Sequence, residues 1–528
     1  MRTKKHFLLI ATLFIAVFSS AQHIIPVPFK TEALASEFVF QKKVRIISDA
    51  RDQETARYLS ERLKKYTEVV QSELPAGGDI ILNTSETVSE LGSEGYQLEI
   101  TNGQIKITAN SNQGLFYGIQ SLLQLLPAEV QAGEPFTLNG YTIQGVKITD
   151  MPKYAWRSFM LDSGRQYQRP EFIKRYLDLM AMLKMNVFHW HLTEGQGWRI
   201  EIKKYPKLTE IGSNVATGKE QQGYYTQDEI RDIVAYAAKL YIDVVPEIDV
   251  PGHAEAALTA YPEMSCFNEI PESVMQYSAH LFCGGKESTY HFLEDILDEI
   301  CDLFPSSYIH LGGDEAPKDN WDKCPHCQNK IKQEGLLDSD QLQSYFSSRL
   351  ATYLQQKGKK AIFWGDVVYA DGYPLPENVV IQWWNWKKHG DTALINAIKR
   401  GHQVIVNTNY YSYFNYPVVS WSKYGVERTF DMRDAYEKNP GDLTSPHPLV
   451  MGMCCSLWTD WYVQEHMVDK RVFPRIYTLA EQMWNKGNRL PFDEFNKLVK
   501  SKYYFLHLLG VDYGPALREE VPADYNWD

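Results

Sequence analysis

Two adjacent carboxylic acids, Asp314 and Glu315, close an apolar stretch that reads YIHLGGDE over residues 308 to 315. Paired carboxyl groups can divide acid and base chemistry when their surroundings push their pKa values apart. Glycosidases usually hold two such groups on opposite sides of the scissile bond, about 5 Å apart or more. Because neighbours in a strand point to opposite faces, we expect one to be a general acid with a raised pKa and the other to stay ionised and accept a hydrogen bond from substrate. The competing interpretation is a cap on a helix that begins within DEAPKD.

Candidate binding and catalytic side chains also follow the ends of the neighbouring predicted strands. The polar ones are Arg157, Asp162, His189, His191, Glu194, Glu247, Asp249, His253, Asn415 and Asp460, and the aromatic ones are Trp364, Trp384, Tyr413 and Trp458. Flat apolar rings with a polar edge suit a pyranose ring, whereas a phosphate group would be met by basic residues. Each side chain alone is compatible with a structural role, but their recurrence at the strand ends predicts a sugar-binding pocket.

A metal-dependent hydrolase is the alternative chemistry that these residues allow. The sequence HWH places His189 and His191 on one face of a strand, and a ligand set could be completed by His253, His310 and Asp314. This pair lies on the second predicted strand rather than the first, and no lysine on the fourth strand is placed to bridge two metals. We therefore prefer the sugar-binding interpretation.

Eight apolar strands that alternate with helices must position these side chains. They are predicted at residues 156–164, 186–195, 243–252, 308–315, 361–367, 379–386, 403–413 and 451–460. Amphipathic helices are predicted between them, for example at 170–184 and at 226–240, where Thr226 and Glu229 match a capping box. This alternation indicates an α/β fold with a (β/α)8 TIM barrel over residues 151–528, whose C-terminal strand ends carry the chemistry.

A small α/β domain is predicted at residues 22–150, ahead of the barrel. Its predicted elements are strands at 44–49 and 79–84, helices at 53–66 and 113–126, and a hairpin at 96–109 with a type I′ turn at Asn102-Gly103. No cluster of acids, histidines or cysteines occurs in this part of the sequence. We therefore expect it to be non-catalytic.

The first 21 residues, MRTKKHFLLIATLFIAVFSSA, have the basic start, apolar run and small final residues of a cleaved signal peptide. The apolar run is too short to span a bilayer well and no comparable run follows. We therefore expect an exported protein, periplasmic or secreted, without a membrane anchor. A net charge of −12 with no basic cluster beyond the N-terminus argues against nucleic acid as a partner.

Seven cysteines in an exported chain permit disulfides. We predict that Cys266 pairs with Cys283 across a loop of suitable length, and that Cys324 pairs with Cys327 within the sequence CPHC. Zinc bound by Cys324, Cys327 and His326 is the alternative, but a second pair of ligands is missing.

Taken together, the strand ends resemble the β-N-acetylhexosaminidases of glycoside hydrolase family 20. The resemblance rests on HLGGDE, NVFHWHL, GWRIEIKKYPKLTEIG, EIDVPGH and LAEQMW in the expected order, and it covers nearly all of the mature chain. It implies that Glu315 is the general acid/base and that Asp314 holds the substrate's 2-acetamido group, whose carbonyl oxygen is the nucleophile. The intermediate would be an oxazolinium ion, and no metal or organic cofactor is implied.

The resemblance also assigns roles around this pair. Tyr413 would hydrogen-bond the attacking oxygen, and Arg157 would grip the O3 and O4 hydroxyls with charged hydrogen bonds. The walls of the pocket are assigned to Trp364, Trp384 and Trp458. His253, which would also contact substrate, would support the acid with Asp249 nearby. Asp162 and His191 are the further supporting residues.

Three positions depart from the family pattern, and all of them bear on the rim around O4 and O6. Glu194 with Gly195 replaces a frequent double Asp, Asn415 replaces a common Asp, and Asp460 replaces a Glu. The lost negative charge at Asn415 reduces repulsion of an anionic 6-substituent, so we expect tolerance of 6-sulfated GlcNAc. The reaction class is unaffected.

The sequence therefore predicts an exo-acting, retaining hydrolase that removes terminal β-linked GlcNAc or GalNAc. Its substrates would be glycoproteins and mucin-type or chitin-type oligosaccharides. A carbohydrate-binding barrel that has lost turnover is the alternative from another class. Asp314, Glu315 and Tyr413 argue against it, because a protein that only binds sugar has no need of the charged pair.

Overall fold

The computed structural model describes residues 23–73, 79–84, 88–215, 222–271, 280–369, 372–443, 446–487 and 489–527. The predicted signal peptide at residues 1–21 lies outside the described residues. A mixed sheet comes first in the chain, and a closed parallel barrel follows it.

Among the described residues, the N-terminal sheet has seven strands in the order β1-β7-β5-β6-β4-β2-β3. The strands are β1 (Lys30–Val39), β2 (Lys43–Ser48), β3 (Glu68–Glu73), β4 (Ile80–Asn83), β5 (Tyr96–Thr101), β6 (Gln104–Ala109) and β7 (Thr142–Asp150), and the helices are α1 (Gln53–Leu63), α2 (Asn112–Gln124) and α3 (Ala128–Ala132). All the predicted elements occur. Strands β1, β3 and β7 were not predicted; β1 and β3 are mostly exposed and so lack a regular apolar alternation. The predicted hairpin joins β5 to β6, but the type I′ turn is wrong, because Gly103 has a φ of 76° while Asn102 is not left-handed.

The eight predicted barrel strands form a closed parallel barrel in chain order. They are β8 (Trp156–Asp162), β9 (Val187–His191), β12 (Asp243–Glu247), β13 (Tyr308–His310), β14 (Lys360–Trp364), β15 (Val380–Trp383), β16 (Gln403–Val406) and β17 (Val450–Leu457), and a short hairpin of β10 (Thr193–Glu194) and β11 (Gly197–Trp198) follows β9. Most of these strands end several residues before the predicted apolar runs do. The remaining residues leave the barrel and become loops above its C-terminal end.

Helices surround the barrel on its outer face, as the alternation of apolar strands and amphipathic segments predicts. They are α4 (Pro170–Met182), α5 (Lys207–Glu210), α6 (Gln227–Lys239), α7 (Glu255–Ala260), α8 (Glu287–Leu303), α9 (Asp319–Lys323), α10 (Pro325–Glu334), α11 (Ser339–Gln356), α12 (Trp386–His389), α13 (Thr392–Lys399), α14 (Asn409–Ser412), α15 (Met432–Lys438), α16 (Glu465–Val472), α17 (Ile476–Trp484), α18 (Phe492–Ser501) and α19 (Tyr503–Leu508). The predicted capping box is confirmed, because Thr226 and Glu229 satisfy each other's backbone N–H groups. Among the described residues, every helix is too short or too polar to cross a bilayer.

The sheet packs against the N-terminal end of the barrel through buried charged groups. Lys184 Nζ lies 2.8 Å from Asp150 Oδ2, and both side chains are fully buried. Trp484 Nε1 donates to the other oxygen of Asp150 at 2.9 Å. Arg157 pairs with Glu94 at 2.7 Å. Because each buried charge has a partner, removing either partner would be costly, and the two parts of the chain are held in one orientation.

The predicted disulfides are wrong, because all seven cysteines are free thiols in the structure. Cys283 Sγ lies 3.6 Å from Cys327 Sγ and 3.8 Å from Cys324 Sγ. A disulfide would require about 2.05 Å. The two predicted pairs are instead brought together into one group of four sulfur atoms. His326, the third ligand of the alternative zinc site, is exposed and lies outside this group.

Candidate active site

One pocket at the C-terminal end of the barrel collects nearly all the predicted site residues. The predicted catalytic and substrate-binding residues that line it are Glu194, His253, Asp314, Glu315, Trp364, Trp384, Tyr413, Asn415, Trp458 and Asp460. These residues come from seven different strand ends. Arg157 is the one predicted binding residue that the pocket does not include.

The backbone after β13 turns so that both acids face this pocket. Gly312 and Gly313 have φ values of 62° and 93°, and Glu315 has a φ of 46°, all in the left-handed region. A Cβ at position 312 would lie 1.7 Å from Asp249 Oδ1, so only glycine fits there. The expectation that Asp314 and Glu315 point to opposite faces is therefore wrong. It assumed that the strand continues to residue 315, whereas β13 ends at residue 310.

His253 links the two acids to the hairpin that follows the second barrel strand. Its Nδ1 lies 3.0 Å from Glu194 Oε2, and its Nε2 lies 3.4 Å from Asp314 Oδ2 and 3.9 Å from Glu315 Oε2. Burial lowers the pKa of His253, but the carboxylates of Glu194, Asp249 and Asp314 outweigh it and raise the pKa well above its usual value. A charged imidazolium therefore faces both acids.

The two acids differ in their surroundings. Burial, followed by the charge of Asp314, raises the pKa of Glu315. Asp314 Oδ1 is buried and has no hydrogen-bond donor among the described residues. Asp249 supports the loop beneath them by accepting the backbone N–H of Gly313 at 3.2 Å. The arrangement favours a proton on Glu315, as expected of a general acid, and leaves a buried acceptor atom of Asp314 available to substrate.

Asp366 is a further, half-buried acid beside the site that the sequence did not single out. It accepts a hydrogen bond from Trp384 Nε1 at 2.7 Å and one from the backbone N–H of Glu315 at 3.4 Å. Burial and the charge of Asp314 raise its pKa to about 7. Its position two residues after Trp364, just beyond the end of β14, is the signal that could have identified it.

Arg165 occupies the place that was predicted for Arg157. Arg157 is the second residue of β8, so it lies at the N-terminal end of the barrel, where it contacts Glu94 and the Tyr117 hydroxyl at 3.0 Å. Arg165 follows the C-terminal end of the same strand and lines the pocket. The binding role predicted for Arg157 is therefore wrong, because it was assigned to the wrong end of the strand.

Buried carboxylates hold the Arg165 guanidinium in position. Its Nη1 lies 2.8 Å from Asp162 Oδ2, and its Nη2 pairs with Glu194. The guanidinium carbon lies 5.1 Å from the ring centroid of Trp458. Burial lowers the pKa of Arg165, but the charges of Glu194 and Asp162 outweigh it and raise the pKa. The pocket therefore contains a fixed cation beside its aromatic wall.

Four aromatic side chains form that wall. Trp384 and Tyr413 are nearly parallel, with an interplanar angle of 5° and ring centroids 6.3 Å apart. Trp458 is tilted against Tyr413 and against Trp364, at centroid distances of 5.9 and 5.7 Å. Burial raises the pKa of Tyr413 well above its usual value, so its hydroxyl keeps its proton. Such a wall can enclose the apolar faces of a small ring and offer it a hydrogen-bond donor.

The rim of the pocket contains Asn415 and Asp460. Asn415 Nδ2 donates to the Tyr424 hydroxyl at 3.0 Å and to Asp460 Oδ1 at 3.3 Å. Burial raises the pKa of Asp460 to about 7, although Arg165 opposes the shift. Two further cations, Lys423 and Arg428, line the same pocket. This side of the pocket is therefore polar, with two cations besides the single acid Asp460.

The histidines of the metal alternative fall into two separate groups. Strand register aligns Asp162, His191, Glu247 and His310 in one layer. Glu247 contacts His189 and His191 at 2.7 Å and His310 at 3.2 Å, and it accepts a hydrogen bond from Trp364 Nε1 at 2.8 Å. His253 and Asp314 lie apart from this layer, so the single ligand set predicted for that alternative does not form.

Comparisons with known proteins agree over most of the chain. The model of the glycosyl hydrolase family 20 catalytic domain matches residues 154–487, and the model of domain 2 of the same family matches residues 21–151. The chain is 36% identical over 513 residues to a beta-hexosaminidase of Porphyromonas gingivalis, an alignment that covers 94% of this chain and 65% of that protein. The crystal structure of a beta-N-acetylhexosaminidase from Bacteroides fragilis is 49% identical with a TM-score of 0.87, covering 96% of this chain and 99% of that one. The Streptomyces plicatus N-acetyl-beta-hexosaminidase, in complex with Thio-NAglucal, is 28% identical with a TM-score of 0.82, covering 94% and 98%.

Proposed function

The chain belongs to glycosyl hydrolase family 20 and is a glycoside hydrolase of the β-N-acetylhexosaminidase type, and we propose that it releases terminal β-linked GlcNAc or GalNAc from the non-reducing ends of glycans with retention of configuration. One observation carries this proposal. Asp314 and Glu315 share one pocket, where Glu315 has a raised pKa and Asp314 Oδ1 is buried without a donor among the described residues.

In the proposed first step the substrate's own acetamido group replaces the second carboxylate. The acetamido N–H donates to Asp314, and its carbonyl oxygen attacks the anomeric carbon to close an oxazolinium ion. Glu315 gives its proton to the glycosidic oxygen as the bond to the leaving group breaks. Glu315 then takes a proton from water, whose oxygen opens the oxazolinium ion at the anomeric carbon. Each of the two displacements inverts the anomeric carbon, so together they retain its configuration.

The other pocket residues would hold the sugar for these steps. The Tyr413 hydroxyl donates to the attacking carbonyl oxygen, because its raised pKa keeps it protonated. Arg165 donates to ring hydroxyls, and Glu194 beside it accepts from them. The aromatic wall excludes water from the acetamido group, which strengthens the hydrogen bond to Asp314.

The test is hydrolysis of p-nitrophenyl β-glycosides with and without the acetamido group. We expect release from β-GlcNAc and β-GalNAc glycosides, no comparable release from β-glucoside, and a β-anomer as the first product in a proton NMR time course. Glu315→Gln should lower kcat by roughly 10²-fold or more, while Glu294→Gln on α8 is the matched control. Equal cleavage of the β-glucoside, or an inverted first product, would refute the mechanism. Binding without any release would favour the binding protein instead.

We also propose that the pocket accepts GlcNAc with a 6-sulfate. Asn415 supplies no negative charge at the rim, and Lys423 and Arg428 line the same pocket. An anionic 6-substituent would meet fewer repelling charges there than beside an aspartate. Asn415→Asp should therefore lower kcat/KM for the 6-sulfated aryl glycoside much more than for the plain one. A wild-type enzyme that turns over the sulfated substrate at under about a hundredth of the plain rate would contradict the proposal.

Export is proposed on the sequence of residues 1–21 alone. The mature protein should begin close to residue 22 and should be recovered from the periplasm or the medium. Intact-mass analysis of the protein from each fraction tests this. An unprocessed chain confined to the cytoplasm would be the contrary result.

A further inference from the structure

Four buried cysteines meet at one point outside the pocket. They are Cys266, Cys283, Cys324 and Cys327, and their sulfur atoms all lie within 4.8 Å of one another. Cys266 and Cys283 belong to the segment between β12 and α8, whereas Cys324 and Cys327 lie at the start of α10. Each of the four is at least 93% buried, the most exposed being Cys266 at 7%. The described residues thus supply the second ligand pair that the CPHC sequence lacks by itself.

The separations between the sulfur atoms fit a tetrahedral metal site. Four sulfur atoms at the usual Zn–S distance of about 2.3 Å from one ion are about 3.8 Å apart along each edge of the tetrahedron. Cys266 lies 3.8 Å from Cys327, and Cys283 lies 3.8 Å from Cys324 and 3.6 Å from Cys327. These distances match the edges of that tetrahedron.

The backbone around the four cysteines holds two turns face to face. Ser265 and Phe282 form an isolated antiparallel bridge, which holds the two segments that contain Cys266 and Cys283 next to each other. Across from this bridge, Gly285 is pressed against the CPHC turn, since a Cβ at Gly285 would lie 2.2 Å from the carbonyl carbon of His326. Glycine is therefore required here, because any side chain would separate the two turns.

Positive charges lie around the four cysteines. Cys324 is the N-cap of α10 and Cys327 lies in its first turn, so the partial positive charge of the helix N-terminus lies beside both. On the other side of the cluster, Lys286 Nζ donates to the carbonyl of Ser265 at 2.5 Å, which brings a positive charge beside Cys266. One divalent cation at the centre would neutralise two of the four negative charges of a tetrathiolate site. The N-terminus of α10 and Lys286 would partly offset the other two.

We propose that Cys266, Cys283, Cys324 and Cys327 bind one Zn²⁺ ion as a structural tetrathiolate site. Four protein ligands leave no open position for water or substrate, which is the property of a structural rather than a catalytic zinc site. The proposal is independent of the hydrolytic function, because none of the four cysteines lines the pocket.

The zinc site would fix the two loops that carry His253 and Glu315. Phe282, beside Cys283, donates its backbone N–H to the carbonyl of Pro251 at 3.0 Å, two residues before His253. The Phe282 carbonyl accepts from Trp321 Nε1 at 3.0 Å, six residues after Glu315. An ion that joins Cys283 to the start of α10 therefore clamps together the loops after β12 and β13. Its loss should loosen these loops and leave the barrel closed.

Metal and thiol analysis of the wild-type full chain tests the proposal without relying on any variant. Protein is purified without chelator from cells supplied with zinc, and zinc is measured against protein by inductively coupled plasma mass spectrometry. We expect about one zinc per chain. The four cysteines should resist iodoacetamide in the native protein and should react after chelation under denaturing conditions without any reductant. Reaction only after reduction would show disulfides and would overturn the proposal. Less than about a tenth of a zinc per chain, or iron in place of zinc, would overturn it as well.

Variants then locate the ion. Cys283→Ser combined with Cys327→Ser should reduce the zinc content more than about tenfold and lower the Tm. Cys301→Ser is the matched control, because Cys301 is also a free thiol but lies outside the cluster, and it should keep the full zinc content. Cobalt substituted into the wild type should give the intense visible absorption of a tetrahedral thiolate complex, a readout that does not need the double variant to fold. Zinc retained by the double variant, or cobalt spectra without thiolate bands, would refute the site.

Discussion

Replacing His253 with asparagine should move the alkaline limb of the pH profile of kcat/KM upward. His253 Nε2 lies 3.9 Å from Glu315 Oε2, and its positive charge lowers the pKa of that acid. Asparagine is chosen because His253 has a φ of 49°, a left-handed conformation that asparagine tolerates. A general acid must be protonated, so a higher pKa for Glu315 extends activity to higher pH.

The size of the shift follows from the distance and the exposure. A unit charge 3.9 Å away is worth about 1 kcal/mol in a water-like dielectric and about 4 kcal/mol at an effective dielectric constant of 20. The Glu315 side chain is 32% exposed, so a value near the lower end, about 1–2 kcal/mol, is appropriate. We therefore expect the limb to move upward by about one pH unit.

The assay measures initial rates on a β-GlcNAc aryl glycoside across the pH range, stopping each reaction before the phenol is read. His291→Asn is the matched control, because His291 lies on α8 with a side chain that is 70% exposed. Asp314→Asn supplies a test of opposite sign, because the charge of Asp314 raises the pKa of Glu315 and its removal should move the limb of the residual activity downward. A limb that stays in place or moves downward in His253→Asn would refute the electrostatic reasoning.

Three further predictions concern binding and stability. Arg165→Met should lower kcat/KM by roughly 10²-fold, and it should also lower the Tm because the buried Asp162 and Glu194 lose their partner. Arg157→Met should lower stability by about 3–5 kcal/mol because Glu94 loses its partner in the domain contact, but it should leave KM unchanged. A raised KM in Arg157→Met, or an unchanged kcat/KM in Arg165→Met, would contradict the assignment. Burial, followed by the charge of Asp314, raises the pKa of Asp366 from 3.8 to about 7. The protonated carboxyl therefore makes its whole contribution to the unfolding free energy below the pKa of the unfolded chain, and this contribution is lost as pH rises toward 7. The stability of Asp366→Asn relative to wild type should therefore increase by roughly 1–3 kcal/mol between about pH 4 and about pH 7, and a constant difference in denaturant titrations would argue against the raised pKa. Thr226→Ala should lower the unfolding free energy by about 1 kcal/mol through loss of the α6 cap while activity is retained, and an unchanged denaturation midpoint would count against that cap.

The barrel and most of the pocket could be predicted from the sequence because their signals are local. Each strand is a short apolar run, and each helix between strands has an apolar face that repeats with the helical period. The polar or aromatic residue after each run is then placed at the C-terminal end of the barrel by topology alone. Trp364, Tyr413 and Asp460 were located in this way, with no knowledge of which strands lie opposite one another.

The misplaced residues show where local signals stop. Arg157 lies near the start of β8 and Arg165 follows its end, and the sequence did not show at which residue that strand enters and leaves the barrel. The two acids were expected on opposite faces because the strand was assumed to continue to residue 315. The left-handed turns at Gly312, Gly313 and Glu315 depend instead on contacts with the loop that contains Asp249, which no local pattern reveals. Asp366 gained its raised pKa from burial and from Asp314, which lies 52 positions earlier in the chain.

The sequence by itself determined the order of strands and helices, the acidic pair and the ring of candidate pocket residues, because spacing and residue type along a short stretch are sufficient for these. Only the tertiary structure decided that both acids share one pocket, that Arg165 is the cation beside them, and that four cysteines form one cluster. Those features depend on distances between residues far apart in the chain. Such distances are set by packing and by loop conformation rather than by any local pattern of residues.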